Sequence, residues 1–359
     1  MISALVRLAQ PLLFAFDPET AHGLSIAALK SGLPVGSCPR TDPKLRVSLA
    51  GLDLPNPLGM AAGYDKNGEA PDGLLGLGFG FVEIGTVTPL PQPGNPKPRI
   101  FRLVRDGAVI NRLGFNNEGH AAMLQRLSSR GRRGVVGVNI GANKDSADRI
   151  DDYEAGVRAF APLASYLTVN ISSPNTPGLR ALQDRAALAD LLARVMAARP
   201  ESGSTTPVFL KIAPDLSEAE LDDIAAELLD KKIDGLIVSN TTLSRAGLGD
   251  KTHAGEAGGL SGKPLFARST VVLARMRKRL GPRFPIVGVG GVDSIETALE
   301  KMRAGADAVQ LYTGMIYAGP SLPGAIVTGM SRYAARENLA SITDIRDSAL
   351  AKWAAAPID

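Results

Sequence analysis

Short apolar runs alternate with stretches of helical periodicity along most of this chain, from about residue 55 onward. Apolar runs of four to eight residues between polar or glycine-containing segments are typical of buried strands. Eight such runs predict strands at 58–62, 81–86, 135–140, 166–171, 208–212, 235–239, 286–289 and 308–312. Helical patterns lie between them, for example at 218–229 and 295–304. Eight strand–helix units predict an α/β fold, a TIM (β/α)8 barrel, with a doubly wound sheet as the alternative.

Two segments depart from this alternation and predict inserted β-hairpins. Residues 45–56 precede the first barrel strand, and residues 99–110 follow the second. The second segment contains Asp106-Gly107, a dipeptide that favours a tight hairpin turn. Both are expected as additions to the barrel.

The first 40 residues form a separate segment with its own pattern, so we divide the chain into 1–40 and a catalytic barrel at 41–359. Apolar residues fall on one face of a predicted helix: Ile2, Leu5, Val6, Ala9, Leu12, Leu13 and Phe16. Pro11 is expected to kink this helix. Asp17-Pro18 then predicts the start of a second helix, running to about residue 30 and ending before Gly32. From periodicity alone, the pair either docks on the barrel or lies on a membrane.

Composition excludes several classes of function. The chain has 359 residues, of which 45% are apolar, and a net charge of +4 with only 5% aromatics. Scattered basic residues with few aromatics argue against nucleic-acid binding. His22, His120 and His253 are far apart and lack the spacing of metal ligands, so no metal site is expected. The single cysteine, Cys38, fits a reducing compartment, and no apolar run is long enough to span a membrane.

Polar or glycine residues stand at the carboxyl ends of all eight predicted strands, where TIM barrels carry their active sites. They are Gly63, Lys66, Thr86, Asn139, Asn170, Ser173, Lys211, Asn240, Thr241, Gly290, Gly291, Tyr312, Thr313 and Gly314. Their recurrence around the predicted barrel indicates one polar pocket.

The segment 170–180 directly follows a buried strand and indicates what chemistry this pocket performs. It contains two asparagine amides and two adjacent serine hydroxyls, and its prolines fix the backbone around Ser173. No histidine or aspartate lies within ten residues of Ser173, and there is no G-x-S-x-G elbow. We therefore expect Ser173 to transfer a proton in a closed pocket instead of attacking an acyl group.

The remaining strand ends predict a phosphate site and a buried cation. Gly290-Gly291 and Thr313-Gly314 end the last two strands, the usual phosphate site of this fold. Lys211 lies within an apolar strand, where a buried charge is costly unless it meets a polar ligand. Beside a flavin, this cation would stabilise the anionic form of the reduced ring. A Schiff-base lysine of an aldolase is the rival interpretation. The many asparagines suit a small planar anion with a ring imide and a carboxylate.

Four segments together resemble the dihydroorotate dehydrogenase family: 61–68, 111–117, 170–180 and 311–314. The resemblance covers nearly the whole chain. Serine at position 173, where the cytosolic class has cysteine, resembles the quinone-dependent class 2, as does the N-terminal helical extension. Because the sequence starts directly at that extension, the resemblance is to the bacterial type.

The resemblance implies a role for individual residues. Ser173 would remove the C5 proton of dihydroorotate while a hydride leaves C6 for N5 of FMN. The substrate would be bound by Lys66, Asn111, Arg112, Leu113, Gly114, Phe115, Asn170, Asn175, Asn240 and Thr241. FMN would be bound by Ala61, Ala62, Gly63, Tyr64, Asp65, Thr86, Asn139, Asn170, Lys211, Ser239, Gly262, Gly291, Tyr312 and Thr313. His22 and Arg102 would line a quinone tunnel.

The same resemblance implies oxidation of dihydroorotate to orotate in pyrimidine (UMP) biosynthesis, with one FMN per chain and a membrane quinone as electron acceptor. It further implies a monomer in peripheral contact with lipid at the cytoplasmic face of the bacterial inner membrane. An aldolase would need Lys211 but no flavin, and the fumarate- or NAD-dependent enzymes would need a cysteine in place of Ser173. A pure binding module would need neither Lys66 nor Ser173.

Overall fold

A computed structural model describes residues 14–32, 39–131, 133–176 and 178–358. In chain order its strands are β1 (Val47–Leu49), β2 (Leu52–Leu54), β3 (Leu58–Met60), β4 (Phe81–Val87), β5 (Ile100–Leu103), β6 (Ala108–Asn111), β7 (Val135–Ile140), β8 (Tyr166–Asn170), β9 (Val208–Ile212), β10 (Gly235–Val238), β11 (Gly259–Gly262), β12 (Ile286–Val289) and β13 (Ala308–Leu311). Its α-helices are α1 (Pro18–Lys30), α2 (Pro71–Leu75), α3 (Gly119–Ser129), α4 (Arg149–Phe160), α5 (Arg185–Glu201), α6 (Glu218–Asp230), α7 (Leu265–Leu280), α8 (Ile295–Arg303), α9 (Thr313–Ala318), α10 (Leu322–Arg336) and α11 (Leu350–Ala355).

Eight parallel strands close into a barrel in the order β3-β4-β7-β8-β9-β10-β12-β13. These are the eight strands that the apolar runs predict, with ends that agree within two residues. The predicted helices are also present: α6 begins after Ser217 and α8 after Ser294, and each serine accepts a hydrogen bond from the third residue of its helix. The TIM-barrel prediction is therefore confirmed.

The barrel interior is filled by aromatic rings that lie against glycines of neighbouring strands. The Tyr166 ring contacts the rings of Phe81 and Phe209 edge to face, with centroid distances of 6.3 and 5.4 Å. A Cβ atom on Gly137 would lie 2.2 Å from the Tyr166 ring, and one on Gly235 would lie 2.2 Å from Phe209. Only glycine leaves room for these rings, which close the barrel beneath the site.

Both predicted hairpins form, but one of them belongs to a larger sheet. Strands β1 and β2 pair antiparallel before the barrel. Strands β5 and β6 pair antiparallel after β4, and β11 adds to β6 as a third strand that the sequence did not predict. The sequence Gly259-Leu-Ser-Gly262 has little strand propensity, so its pairing depends on tertiary contacts.

The second N-terminal helix forms as predicted and docks on the barrel. The Asp17 carboxylate caps α1 by accepting from the backbone N–H groups of Glu19 and Thr20, at 3.0 Å each. Leu29 is buried, and the Glu19 carboxylate accepts from Arg99 Nε at 3.1 Å. The first predicted helix lies almost entirely in residues 1–13, outside the described residues.

Candidate active site

A cavity of about 680 Å³ opens at the carboxyl ends of the barrel strands and extends outward to α1. All the site residues that the resemblance implied line it, except Asp65, Arg112 and Asn139. The cavity thus brings together residues from the carboxyl ends of seven of the eight barrel strands, all except β7, and from the inserted sheet. Its volume is within the range of ordinary ligand sites.

The three exceptions have structural contacts instead. The Asp65 carboxylate accepts from the backbone N–H groups of Glu69 and Ala70 at 2.8 Å, which fixes the loop after β3. The Arg112 guanidinium pairs with Glu256 at 2.7 Å, away from the cavity. Asn139 is fully buried beneath the cavity floor.

A continuous hydrogen-bond network connects the barrel interior to this floor. Asn139 Nδ2 donates to Glu83 Oε1 at 2.7 Å, and the other Glu83 oxygen accepts from Tyr166 at 3.1 Å. Thr86 Oγ1 and Asn170 Nδ2 both donate to Asn139 Oδ1, at 2.5 and 3.1 Å. Glu83 is completely buried. The buried carboxylate therefore supports Asn170 through one intermediate amide.

The same network continues into the predicted substrate residues. Asn170 Oδ1 accepts from Ser172 Oγ at 3.1 Å and from Asn240 Nδ2 at 3.4 Å. Across the cavity, Asn175 Nδ2 donates to Asn111 Oδ1 at 3.3 Å. Four amides thus converge at the cavity. Both N–H groups of the Asn170 amide are already donated, to Thr86 Oγ1 and Asn139 Oδ1, whereas Asn111 and Asn175 keep hydrogen-bonding groups for a ligand among the contacts described.

Ser173 lies at the wall of the cavity with only 5% of its surface exposed. Its Oγ accepts from the Asn175 backbone N–H at 3.3 Å. Within the described ranges, neither a histidine nor a carboxylate is hydrogen-bonded to this hydroxyl, which agrees with the absence of a hydrolase triad. A buried hydroxyl without a triad partner suits proton exchange with a bound ligand.

Arg180 and Asp215, which the sequence did not single out as functional residues, fix the loop that carries Ser173. Arg180 donates to the backbone carbonyls of Ser172 at 3.2 Å and Thr241 at 3.1 Å. It also pairs with Asp215 at 3.1 Å, and Asp215 accepts from the backbone N–H of Leu243. The loops after β8 and β10 are therefore clamped together. Arg180 does lie inside the conspicuous segment 170–180, but Asp215 has no comparable sequence signal.

Two lysines give the cavity a positive potential. Burial lowers the pKa of Lys211, and the Glu83 carboxylate opposes this shift. Burial also lowers the pKa of Lys66 to about 8, although Glu19 and Asp65 raise it. Neither ammonium forms an ion pair among the residues that the structure describes. Both face the cavity, which therefore favours an anionic ligand.

The turn after β12 offers backbone to the cavity at close range. Gly290 and Gly291 have φ angles of 109° and 74°, which other residues rarely adopt. A Cβ atom on Gly314, after β13, would lie 2.6 Å from the Val292 carbonyl oxygen. Glycines at these positions let the turn and the start of α9 pack closely against the protein while their backbone lies at the cavity wall.

The outer part of the cavity is apolar and aromatic. The His22 ring lies edge-on to Tyr64 with a centroid distance of 5.0 Å, and Arg102 covers the Phe14 ring at 4.8 Å. Burial and the nearby Lys66 charge lower the pKa of His22 to about 3, so this histidine is neutral near pH 7. Ala28 and other small or apolar residues of α1 complete the wall. One cavity thus joins a polar floor to an apolar opening.

Comparison with known proteins gives consistent matches over the full chain. The family model "Dihydroorotate dehydrogenase" matches residues 44–333. A protein named "Dihydroorotate dehydrogenase (quinone)" from Mesorhizobium japonicum is 70% identical over 99% of this chain and 100% of its own. One of the same name from Rhizobium etli is 67% identical over 99% of both. The crystal structure of DHODH from Eimeria tenella in complex with ferulenol has a TM-score of 0.87 and 39% identity, covering 93% of this chain and 98% of that one.

Proposed function

The chain belongs to the dihydroorotate dehydrogenase family, and we propose that its cavity is where dihydroorotate is oxidised to orotate and the electrons pass to a quinone. This reaction serves pyrimidine biosynthesis. One observation carries the assignment: Ser173, a converging set of amides and two lysines that form no ion pair with any described residue line the polar end of a cavity whose other end is apolar. A small polar anion could therefore bind at one end of this cavity and a lipid-like electron acceptor at the other. We propose that the protein acts as a monomer, since the described residues of one chain line both ends of the cavity.

The site fits FMN, which we propose as the resident cofactor at one per chain. Lys211 supplies a buried cation without an ion-pair partner in the described residues, and Gly290-Gly291 supplies accessible backbone suited to a phosphate. Thr86, Asn170 and Ser239 supply uncharged polar groups suited to a flavin ring. When bound, FMN accepts the hydride and later passes electrons to the quinone.

The chain's own groups would bind and deprotonate the substrate. Lys66 would hold the carboxylate of dihydroorotate, and Asn111, Asn175 and Asn240 would bind the ring carbonyl and N–H groups. Ser173 would take the proton from C5. The clamp formed by Arg180 would hold the Ser173 loop against the substrate, since it donates to backbone carbonyls on two loops. Enclosure would keep water from the reacting atoms.

An absorption spectrum of the purified protein, followed under anaerobic conditions, tests this function. We expect a flavin spectrum that bleaches when dihydroorotate is added and returns when a quinone is added, with orotate as the product. A colourless protein that forms no orotate would contradict the proposal. Borohydride trapping of a carbonyl substrate on Lys211 would instead favour the aldolase interpretation.

Orotate binding should weaken above about pH 8 if Lys66 holds the carboxylate. The pKa of Lys66 in the ligand-free protein is about 8, so the ammonium is present below that pH and is lost above it. Affinity should be constant below pH 8 and then fall by about tenfold per pH unit. Titration of the oxidised enzyme with orotate measures this.

Lys66→Arg is the matched control for this pH dependence. Arginine stays protonated throughout, so its orotate affinity should be lower but flat between pH 7 and about pH 9.5. If the wild type and Lys66→Arg lose affinity in parallel, another group governs binding.

We propose that residues 1–40 hold the protein at the membrane surface, at the cytoplasmic face of the bacterial inner membrane, and guide the quinone into the cavity. Among the described residues no helix is long and apolar enough to cross a membrane. Phe16 and Leu24, however, expose 49% and 48% of their surface beside the cavity opening. Lys30 lies at the end of the same helix; its side chain is 60% exposed and forms a long surface ion pair with Glu69 at 3.5 Å. Exposed apolar and basic groups together suit a peripheral contact with anionic lipid.

Replacing both Phe16 and Leu24 with glutamate should reduce binding to anionic vesicles by about tenfold or more, because charge replaces apolar anchors at the interface. Vesicle co-sedimentation measures the effect. Leu229→Glu is the control, since Leu229 is 52% exposed on α6, which belongs to the barrel. Equal sedimentation of the double variant and the wild type would place the membrane contact elsewhere.

A further inference from the structure

A second buried lysine lies behind the phosphate turn, and the mechanism above does not use it. Lys301, on α8, has no exposed surface. Its Nζ donates to Ser269 Oγ at 2.6 Å and to the Val289 carbonyl at 3.4 Å, and it lies 5.1 Å from the centre of the Phe266 ring. Building on the proposed FMN site, we propose that Lys301 is a positioning residue whose counter-ion is the phosphate group of FMN.

The charge of Lys301 is unbalanced within the protein. It forms no ion pair in the described part of the chain, and burial lowers its pKa well below the usual range with no acidic group to oppose the shift. Another fully buried cation behaves differently: the Arg277 side chain is 1% exposed and pairs with Asp307 at 2.6 Å. Since an unpaired buried charge is costly, an anion outside the protein would account for this lysine.

Hydrogen bonds connect Lys301 to the turn that would hold that anion. Because Ser269 Oγ accepts from Lys301, its own proton is free for backbone carbonyls, which include Leu265 at 2.8 Å and Gly290 at 3.3 Å. No side chain separates this serine from the turn, since a Cβ on Gly290 would lie 2.7 Å from Ser269 Oγ. Lys301 and Ser269 therefore contact the peptide units that enter the turn.

These contacts help to set the orientation of the two peptide units. In a trans peptide the N–H points opposite to the C=O. The Val289 carbonyl accepts from Lys301 and from the Ser239 backbone N–H at 3.2 Å, and the Gly290 carbonyl accepts from Ser269, so the N–H groups of Gly290 and Gly291 point away from these donors. Both glycines line the cavity. The lysine thus orients two donors and adds a positive charge behind them, where low polarity lets it act over a longer distance than in water.

The neighbouring lysine at the cavity mouth does not have this role. Lys263 is mostly exposed and pairs with Asp293 at 3.5 Å. Its charge is therefore already matched and screened by water. Lys301, unlike Lys263, is therefore a cation next to the Gly290-Gly291 turn that is buried without an acidic partner among the described residues.

Comparing the affinities of flavin-free full-length protein for FMN and riboflavin tests the proposal, because riboflavin has the same ring but no phosphate. Lys301→Met should weaken FMN binding by roughly 10- to 100-fold, as expected when one partner of a buried charge pair is lost. Riboflavin affinity should change less than about twofold. The melting temperature of the flavin-free variant should be equal to or above that of the wild type, since a buried unpaired charge has been removed.

Lys352→Met is the matched control, since its side chain is 73% exposed and lies on α11. It should leave both affinities unchanged. Should Lys301→Met fail to fold, Lys301→Gln and Ser269→Ala give the same comparison, and each should lower FMN affinity selectively. Equal losses for both flavins, or an unchanged ratio of affinities, would overturn the role of Lys301. Failure of the wild type to bind FMN would instead overturn the proposed function itself.

Discussion

Replacing Ser173 with alanine should leave FMN bound but slow its reduction by dihydroorotate by about 10²- to 10⁴-fold, which is the usual contribution of a positioned base. Ser173 lies at the polar end of the cavity, on a loop held by the Arg180 clamp. Alanine keeps the backbone of that loop and removes only the hydroxyl. Stopped-flow measurement of flavin bleaching after mixing with dihydroorotate gives the rate directly.

The second half-reaction is the internal control for this variant. Reoxidation of the dithionite-reduced enzyme by a quinone should be unchanged, because it does not use the Ser173 hydroxyl. Ser173→Cys should retain part of the reduction rate, since a thiol can also take the proton. Wild-type bleaching by Ser173→Ala would show that another group is the base.

Replacing Ala28 with tryptophan should produce the opposite result: normal flavin reduction but reoxidation by a long-chain quinone slowed by about tenfold or more. Ala28 lies on α1 and lines the apolar part of the cavity. An indole ring at this position would occupy the path that we propose for the quinone, and a packed wall has little room to relax. Stopped-flow reoxidation of the reduced enzyme measures the effect.

The neighbouring residue provides a closely matched control. Ala27 is exposed, and it does not belong to the wall of the cavity. Ala27→Trp adds the same ring to the same helix and should reoxidise at the wild-type rate. If both variants or neither are slowed, the quinone does not enter along this face of α1.

Much of the fold could be predicted because local pattern and tertiary environment agree. The barrel strands are buried on both faces, so their sequences are almost continuously apolar, as at Val208–Ile212. Polar residues such as Asn170 and Asn240 could be placed at the site because strand ends of a parallel barrel meet at one edge.

Other features depend on contacts that the sequence does not reveal. Strand β11 pairs with β6 at the edge of the β5–β6 hairpin. Its glycine-flanked sequence alone would not predict a strand. The Arg112 side chain pairs with Glu256, 144 residues away, and so leaves the cavity that its motif suggested. The position of Asp215, in the loop after β9, also depends on a distant partner, because its carboxylate pairs with Arg180 in the loop after β8. Pairings between distant segments have no periodicity to detect.

The role of His22 could not be inferred from its residue type. A lone histidine on a short helix is usually a surface residue, and only the resemblance to a family singled it out. In the structure it is half-buried and packs edge-on to Tyr64, and desolvation with the nearby Lys66 charge lowers its pKa to about 3. This burial results from the docking of α1, which in turn depends on contacts such as that between Glu19 and Arg99.

The network beneath the cavity floor has a fixed direction. An ionised carboxylate can only accept, so Glu83 requires Asn139 to present its NH₂ group and leaves the Asn139 oxygen for Thr86 and Asn170. Asn170 must then turn its own oxygen toward Ser172 and Asn240. An amide is nearly symmetrical in shape, and without this constraint its two orientations would differ little in energy. The carboxylate of Glu83 thus determines the orientation of the Asn170 amide, although Glu83 itself does not line the cavity. The pattern of donors and acceptors at the cavity floor is therefore set inside the barrel, by a residue one amide below it.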